Sequence, residues 1–303
     1  MNLSHTLEEK LSSILAAHRG RVALFAANLV TGAEIDIDAD RVVQAASTIK
    51  LAILYAAVEE IRAGRASWSD RLTLKASDQV PRSGVLLFFD TPMQLTLKDA
   101  LTLMISMSDN TATNLVIDYL GLDCVNACIV RLGLSNTRLY RKVFCPPSEA
   151  QTEEQQRFGL GKTTPREMAR LMQIIFDGNF SPASSANKNP AAEHSLAPKD
   201  QDEDKNLREV MLPMLRNQFY RDGIPRYLGR LYTDNESRIA NKTGELNAVR
   251  NDVATIESSR GTLILSIFTF ENEDESWSVE NEGEVTIGKL ARAIVEAWSP
   301  EDS

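Results

Sequence analysis

Residues 47–64 read Ser-Thr-Ile-Lys-Leu-Ala-Ile-Leu-Tyr-Ala-Ala-Val-Glu-Glu-Ile-Arg-Ala-Gly and combine a strong helix pattern with two reactive side chains. The run from Thr48 to Ala63 is rich in Leu, Ile and Ala and is closed by Gly64, which predicts a helix. Ser47 and Lys50 lie three residues apart at its start and project from the same side. The positive end of a helix stabilises an oxyanion and lowers the pKa of a lysine amine. This pair is therefore a candidate nucleophile and base.

Outward from this helix, strands are predicted near both ends of the chain and helices in the middle. The predicted strands are 20–29, 33–38, 238–242, 249–258 and 262–270. The predicted helices are 6–17, 48–63, 97–106, 112–120, 123–132, 165–176, 207–217 and 287–298. The simplest packing is an α+β (α/β sandwich) fold, in which one antiparallel five-stranded sheet is flanked by the terminal helices beside an all-helical lobe.

The same order predicts how the chain divides. A discontinuous sheet lobe would comprise residues 1–41 and 226–303, and an all-helical lobe carrying Ser47 would comprise residues 42–225. Residues 181–206 are rich in Ser, Ala, Pro, Asn and charges, which predicts a mobile insertion. A cleft between two lobes is the usual place for a functional site.

Composition excludes several classes of protein. The chain has 33 basic and 42 acidic residues and a net charge of −9, which argues against a nucleic-acid partner. No apolar run reaches the roughly 18–20 residues that cross a bilayer, so no membrane span is expected. The first residues lack a basic start followed by an apolar stretch. We therefore expect a cytoplasmic protein as the sequence is written, or a periplasmic or secreted one if a leader is missing.

The histidines and cysteines do not form a recognisable site. His5 and His18 fall on the first predicted helix and His194 lies in the insertion, so no histidine is placed for a Ser-His-Asp triad. The three cysteines are odd in number, and none has metal-ligand spacing with a histidine. No metal and no cofactor are therefore expected, and a serine enzyme here would need a base other than histidine.

Two further motifs accompany the Ser47/Lys50 pair. Ser108-Asp109-Asn110 lies in the break between two predicted helices, and Lys242-Thr243-Gly244 ends a predicted strand. A Ser-x-x-Lys spacing alone is weak, since residues 185–188 also match it within the insertion. The three motifs in this order form a specific signature of penicillin-recognising enzymes.

On these motifs the sequence resembles the penicillin-recognising serine hydrolases, and class A β-lactamases most closely. The resemblance runs from Thr6 through residues 97–120 to residues 242–256 and the last helix, whereas residues 181–206 are foreign to the pattern. It implies a β-lactamase/transpeptidase-like fold, which agrees with the predicted order of strands and helices. It also implies a small-molecule β-lactam, or a peptide or ester, as substrate.

The resemblance implies roles that the chemistry of the residues supports. Ser47 would attack a carbonyl and form an acyl-enzyme, with Lys50 taking or relaying its proton. Ser108 would pass a proton to the departing nitrogen with help from Lys242. The backbone N–H groups of Ser47 and Glu245 would form the oxyanion hole.

Substrate-binding roles follow in the same way. Asn110 would hold a substrate side-chain amide, and Thr243 would bind a substrate carboxylate together with the lysine before it. Gly244 would permit close approach to the strand, because it has no side chain. Arg250 is either a second carboxylate ligand or a surface arginine beside Asp252.

The pattern departs from the family at the residue that would release the acyl group. Class A enzymes carry a glutamate in a Glu-Pro-x-Leu-Asn sequence, which is absent here, and its position falls near Val143. Glu149, Glu153 and Glu154 lie nearby as candidates for the deacylating base or as solvated residues. The deacylating base is therefore unassigned. A carboxylate at Glu245 is a second departure, which would repel an anionic substrate unless its side chain points away from the site.

Several functions remain open at this point. The leading interpretation is a hydrolase that opens β-lactam rings through a Ser47 acyl-enzyme. The alternatives are a D-alanyl-D-alanine peptidase or esterase, a slowly deacylating penicillin-binding protein, and a non-catalytic binding module on the same fold. The sequence leaves the oligomeric state undetermined.

Overall fold

The computed structural model describes residues 3–145, 151–178, 201–231 and 237–302. The strands are β1 Arg21–Asn28, β2 Glu34–Ile37, β3 Val43–Gln44, β4 Arg71–Leu74, β5 Met93–Thr96, β6 Arg138–Leu139, β7 Gly161–Thr163, β8 Ile239–Leu246, β9 Val249–Ser258 and β10 Gly261–Phe270. The helices are α1 Leu3–Ala17, α2 Lys50–Arg62, α3 Leu97–Ser106, α4 Asn110–Leu120, α5 Leu122–Arg131, α6 Glu153–Phe158, α7 Pro165–Asp177, α8 Gln201–Arg216 and α9 Glu282–Trp298.

The main sheet joins the two ends of the chain. Its order is β2-β1-β10-β9-β8, and every neighbouring pair is antiparallel. β1 pairs with β10 from Arg21↔Phe270 to Asn28↔Leu263. The predicted α+β fold with a five-stranded antiparallel sheet is therefore confirmed, and β8 is left as an edge strand.

The central strands are apolar on both faces because helices cover both. Leu24 and Ile267 belong to a core shared with α1 and α9, whereas Ala23 and Phe268 belong to a core shared with the helical part of the chain. Successive side chains of a strand point to opposite faces, so a doubly covered sheet needs apolar residues at consecutive positions. Helix α7 lies on the second face, against β1, β9 and β10.

Helix α2 runs through the middle of the helical part. All residues from Lys50 to Val58 are buried, because α3, α4, α5 and α7 pack around a helix that is apolar on every side. The neighbouring helices begin at defined caps. Thr96 and Asp99 form a capping box on α3, and the Thr164 hydroxyl accepts from Glu167 N at the start of α7, just before Pro165.

Several element boundaries differ from the prediction, among them the start of α9, which is Glu282 instead of residue 287. β8 continues to Leu246 instead of ending at residue 242, and α4 begins at Asn110 instead of residue 112. α8 begins at Gln201, so residues 201–206 of the predicted insertion are helical, and residues 181–200 lie outside the described residues. The lack of apolar residues at 201–206 predicts an insertion, but Gln, Glu and Lys are good helix formers. The lobe boundaries stay a prediction.

Other sequence features have simple places in the fold. The His18 ring is buried between Asn272 Oδ1 at 3.1 Å and Thr286 Oγ1 at 3.2 Å, which is a structural role. His194 and the side chain of His5 lie outside the described residues. Within the described ranges, no single helix has the length and hydropathy to cross a bilayer. Only α4 and α5 together, bent by 83°, meet that criterion.

Candidate active site

The amine of Lys50 joins two of the three sequence motifs. Its Nζ donates to the backbone oxygen of Ser108 at 2.7 Å, and lies 3.0 Å from Ser108 Oγ and 3.1 Å from Asn110 Oδ1. Ser47 stands three residues earlier in the 3₁₀ turn Ala46–Ile49, which leads directly into α2. Residues three apart eclipse in such a turn, so Ser47 and Lys50 share one side.

The surroundings of Lys50 favour the neutral amine. Burial lowers the pKa of Lys50 well below its ordinary value, and the nearby Lys242 lowers it further, while Asp109 raises it. A neutral amine has two N–H donors and one lone pair. Nζ donates to the Ser108 backbone oxygen, to Asn110 Oδ1 and to Ser108 Oγ. A neutral amine that turned its lone pair to the Ser108 hydroxyl would exchange a proton with it.

The backbone is strained at two residues of the site. Ala46, just before Ser47, has φ 46°, and Ser108 has φ 53°. The left-handed region costs a non-glycine residue of order 1–3 kcal/mol and persists only where the surroundings impose it. Both residues are buried. Ser108 carries one of the two hydroxyl groups of the site, and Ala46 directly precedes Ser47, which carries the other.

The third motif lies on the edge strand β8, directly against the Ser47 turn. A Cβ on Gly244 would be 2.9 Å from Ser47 N and 2.9 Å from Thr48 N, so only glycine fits. Asn251, opposite Gly244 on β9, donates from Nδ2 to Gln44 O at 2.9 Å and fixes this approach. The Ser47 turn therefore packs against the face of β8 at Gly244. The oxyanion hole formed by Ser47 N and Glu245 N stays a prediction.

Lys242 supplies a buried positive charge beneath this edge. Its Nζ donates to Thr243 O at 2.9 Å. Burial lowers its pKa to about 8, partly offset by Glu245 and Asp252, so the ammonium form still predominates at neutral pH. Burial therefore disfavours the ammonium form of both lysines, and the charge of Lys242 adds to this effect at Lys50.

A cavity of about 910 Å³ lies beside these groups. Lys50 and Lys242 are fully buried and do not line it themselves. Ser47, Ser108, Asn110, Thr243 and Gly244 all line it, so the structure brings the predicted nucleophile, proton carrier and substrate-binding residues to one space. Its volume is typical of small-molecule sites.

Helix α4 holds the two loops that complete the wall. Asn110 N donates to Ser83 O at 3.1 Å and Asn110 Nδ2 donates to Pro81 O at 3.2 Å. One turn later, Asn114 accepts from Val143 N at 2.8 Å and donates to Val143 O at 2.9 Å. Residues four apart share a helix face, so one face of α4 positions both loops.

Comparison with known proteins agrees with this geometry. A family model described as the Beta-lactamase enzyme family matches residues 6–188 and 196–298. The chain belongs to the β-lactamase enzyme family. The expected resemblance is therefore confirmed, and the matched ranges omit only residues 189–195 of the predicted insertion between them.

Individual relatives span most of the chain. A β-lactamase of Sphaerobacter thermophilus is 30% identical, with a TM-score of 0.78 over 98% of each chain. A β-lactamase of Rhodobacter capsulatus is 25% identical over 82% of this chain and 74% of its own length. PBP-A, solved as a mutant in an acyl-enzyme complex with penicillin G, shares the fold with 24% identity and a TM-score of 0.74, covering 97% of this chain and 96% of its own.

In this member of the β-lactamase family, Arg250 does not reach the cavity where a substrate ligand would lie. It is buried on β9, where its guanidinium donates to Val249 O at 2.9 Å and Ser276 O at 2.6 Å and lies 3.2 Å from Glu284. It does not line the cavity. This geometry fits the structural alternative, with the correction that Arg250 is a buried rather than a surface arginine.

Two of the three candidates for a deacylating base are not brought to the cavity. Glu153 and Glu154 are exposed on α6, and Glu154 pairs with Lys162. Glu149 lies outside the described residues. Val143 does line the cavity, and among the described lining residues Glu245 is the one carboxylate. The deacylating base therefore stays unassigned.

Sequence reasoning missed several residues that shape this site. Asp109 caps α4 and also accepts from Val85 N at 2.7 Å and Leu86 N at 3.0 Å, which fixes the loop before it. An Asp directly before an apolar helix is a recognisable N-cap signal. Asn114 was detectable by its i+4 spacing from Asn110. The mouth residues Arg82, Phe144 and Trp277 have no local signal.

Proposed function

We propose that the protein is a serine hydrolase that opens β-lactam rings through an acyl-enzyme on Ser47. The observation that carries this proposal is the meeting of the buried Lys50 amine with Ser108 and Asn110, next to Ser47 and beside a cavity of small-molecule size. Membership of the β-lactamase enzyme family supports it.

In the acylation step, the neutral Lys50 amine takes the proton of Ser47 while Oγ forms a bond to the ring carbonyl carbon. The developing oxyanion receives N–H groups from Ser47 and Glu245. The ring C–N bond then breaks. The departing nitrogen takes a proton from Ser108 Oγ, which lies 3.0 Å from Lys50 Nζ and is reprotonated by it.

Substrate binding uses the opposite side of the cavity. The Lys242 ammonium and the Thr243 hydroxyl attract the carboxylate that β-lactams carry beside the ring. Asn110 receives the amide of the acyl side chain through its side-chain atoms. Gly244 allows β8 to lie directly against the Ser47 turn, because it has no side chain.

The second candidate function is a slowly deacylating penicillin-binding protein. The specific observation that favours it is Val143, an apolar residue at the cavity wall near the position where family lactamases carry a glutamate. Without a carboxylate to activate water, the ester of Ser47 is long-lived. Hydrolysis of that ester by water would restore the Ser47 hydroxyl. The ring-opened product would leave with a new carboxylate in place of the ester.

Incubation with a chromogenic cephalosporin, followed by absorbance and intact mass, separates these functions. Steady turnover supports the hydrolase. A stable mass increase on Ser47 without turnover supports the slow alternative. Cleavage of a D-alanyl-D-alanine peptide or an ester, without any reaction with the cephalosporin, supports a peptidase or esterase.

The Ser47→Ala variant is the control for every outcome. We expect it to lose both the adduct and the turnover while keeping the melting temperature of the parent. Reaction of this variant at the wild-type rate would refute the assignment of the nucleophile. A wild-type protein that forms no adduct and cleaves none of the substrates would instead be a binding module.

A further inference from the structure

Arg82 lies at the mouth of the cavity between two aromatic rings. Its guanidinium carbon is 5.7 Å from the centre of the Phe144 ring and 5.8 Å from that of Trp277. Arg82 follows β4, Phe144 follows β6 and Trp277 follows β10, so three distant segments meet here. Both rings are about half exposed, at 50% and 58%.

The guanidinium of Arg82 is accessible to a ligand. Arg82 is exposed, and its five N–H donors lie in one plane. Within the described parts of the chain, Arg82 has neither a hydrogen bond nor an ion pair. Its backbone is held in the left-handed region, with φ 73°, which fixes the direction in which the side chain leaves the loop.

The loop of Arg82 is attached to the part of the site that would receive the acyl side chain. Its neighbours Pro81 and Ser83 are the two residues whose backbone oxygens accept from Asn110. A second arginine of the cavity wall, Arg141, also has no ion pair among the described residues. Two arginines without an ion pair among the described residues therefore line the same cavity as Asn110, although Glu245 also lines it and the protein as a whole carries −9.

We infer that the site prefers a β-lactam whose acyl side chain carries a second negative charge, and that Arg82 binds this charge. The inference rests on the proposed function, which places the first carboxylate at Lys242 and the side-chain amide at Asn110. The substituent beyond that amide then extends towards Arg82. A carboxylate or sulfonate there matches the planar fork of a guanidinium, held in place by the rings of Phe144 and Trp277.

Benzylpenicillin and carbenicillin are a matched pair of probes, because they differ by one carboxylate on the benzylic carbon. The measured quantity is the ratio of their second-order rate constants for acylation of Ser47. We expect the wild-type protein to prefer carbenicillin. We expect Arg82→Gln to lower the ratio by about three- to tenfold, and Arg82→Lys, which keeps the charge without the fork, to lower it less.

Arg71→Gln is the matched control, because Arg71 is an exposed arginine of β4 outside the cavity. It removes the same charge and should leave the ratio unchanged, whereas added salt should lower the ratio of the wild type. Acylation by benzylpenicillin with no preference for carbenicillin, or with equal ratios in the wild type and Arg82→Gln, overturns this inference alone. Absence of acylation by either penicillin overturns the proposed function and this inference with it.

Discussion

Gly244→Ala tests the contact between β8 and the Ser47 turn. The added Cβ would lie 2.9 Å from Ser47 N, 2.9 Å from Thr48 N and 3.0 Å from Ala45 O. Ordinary contacts of a carbon atom begin at about 3.5 Å, so strand and turn must separate by about half an ångström. All three contacts are with backbone atoms, which cannot rotate away as the end of a side chain can.

The turn has little freedom to move. Ala45 N donates to Gly161 O at 2.9 Å on one side, and Asn251 holds Gln44 O at 2.9 Å on the other. Relief must therefore come from β8, which carries one of the two proposed oxyanion donors. Displacing such a donor costs about 10²–10³-fold in rate, so acylation should fall by that amount. Overpacking of this kind costs about 1–3 kcal/mol of stability.

The assay is stopped-flow acylation by the chromogenic cephalosporin, together with thermal unfolding. Gly229→Ala is the matched control, because a Cβ there meets nothing within 4 Å. It should keep the wild-type acylation rate. Wild-type acylation by Gly244→Ala, in a protein whose crystal structure still has β8 in place, would refute this reasoning about the oxyanion hole.

Three further predictions test separate groups. Lys50→Arg removes the base, because a guanidinium stays protonated, so stopped-flow acylation should fall by about 10²–10⁴-fold; an unchanged rate would contradict a neutral amine. Val143→Glu should shorten the lifetime of the Ser47 adduct in mass spectrometry, whereas Val143→Gln should not; equal lifetimes would place the deacylating base elsewhere. The Lys242 pKa is about 8, so its ammonium is lost as the pH rises through that value. The rate of acylation by an anionic β-lactam should therefore decline on the alkaline side, and Lys242→Arg should move the decline to higher pH; an identical profile in both proteins would contradict a charge role for Lys242.

The main features of fold and site could be predicted because their signals are local. Ser47 and Lys50 are fixed relative to one another by three residues of chain, and the motifs at Ser108 and Lys242 each span three residues. Their meeting follows from the topology, since strands from both ends of the chain form one sheet whose edge strand, β8, faces the Ser47 turn.

Arg250 shows where local signals end. Its environment depends on the register of β8 and β9, which pairs Glu245 with Arg250 and Leu246 with Val249. The sequence pattern predicts that β8 ends at residue 242, so it predicts neither the hairpin between β8 and β9 nor its register. Because side chains alternate along a strand, the register decides whether an arginine reaches the cavity or the neighbouring core. The cavity mouth formed by Arg82, Phe144 and Trp277 is even harder to predict, because these residues lie in three loops that are far apart in the sequence.

The apolar surroundings of α2 contribute to the chemistry as well as to stability. An exposed lysine has a pKa of about 10.4 and is charged at neutral pH, which would make it useless as a base. Lys50 begins a helix whose next eight residues, 51–58, are all buried, and the positive Lys242 lies close enough to disfavour a second charge. The absence of water around this helix therefore disfavours the charged amine, as the proposed role of Lys50 as a base requires. Burial of an amine that must lose its charge costs free energy of folding. A lysine at the start of a helix that is apolar on every side is consequently a signal of function rather than of stability.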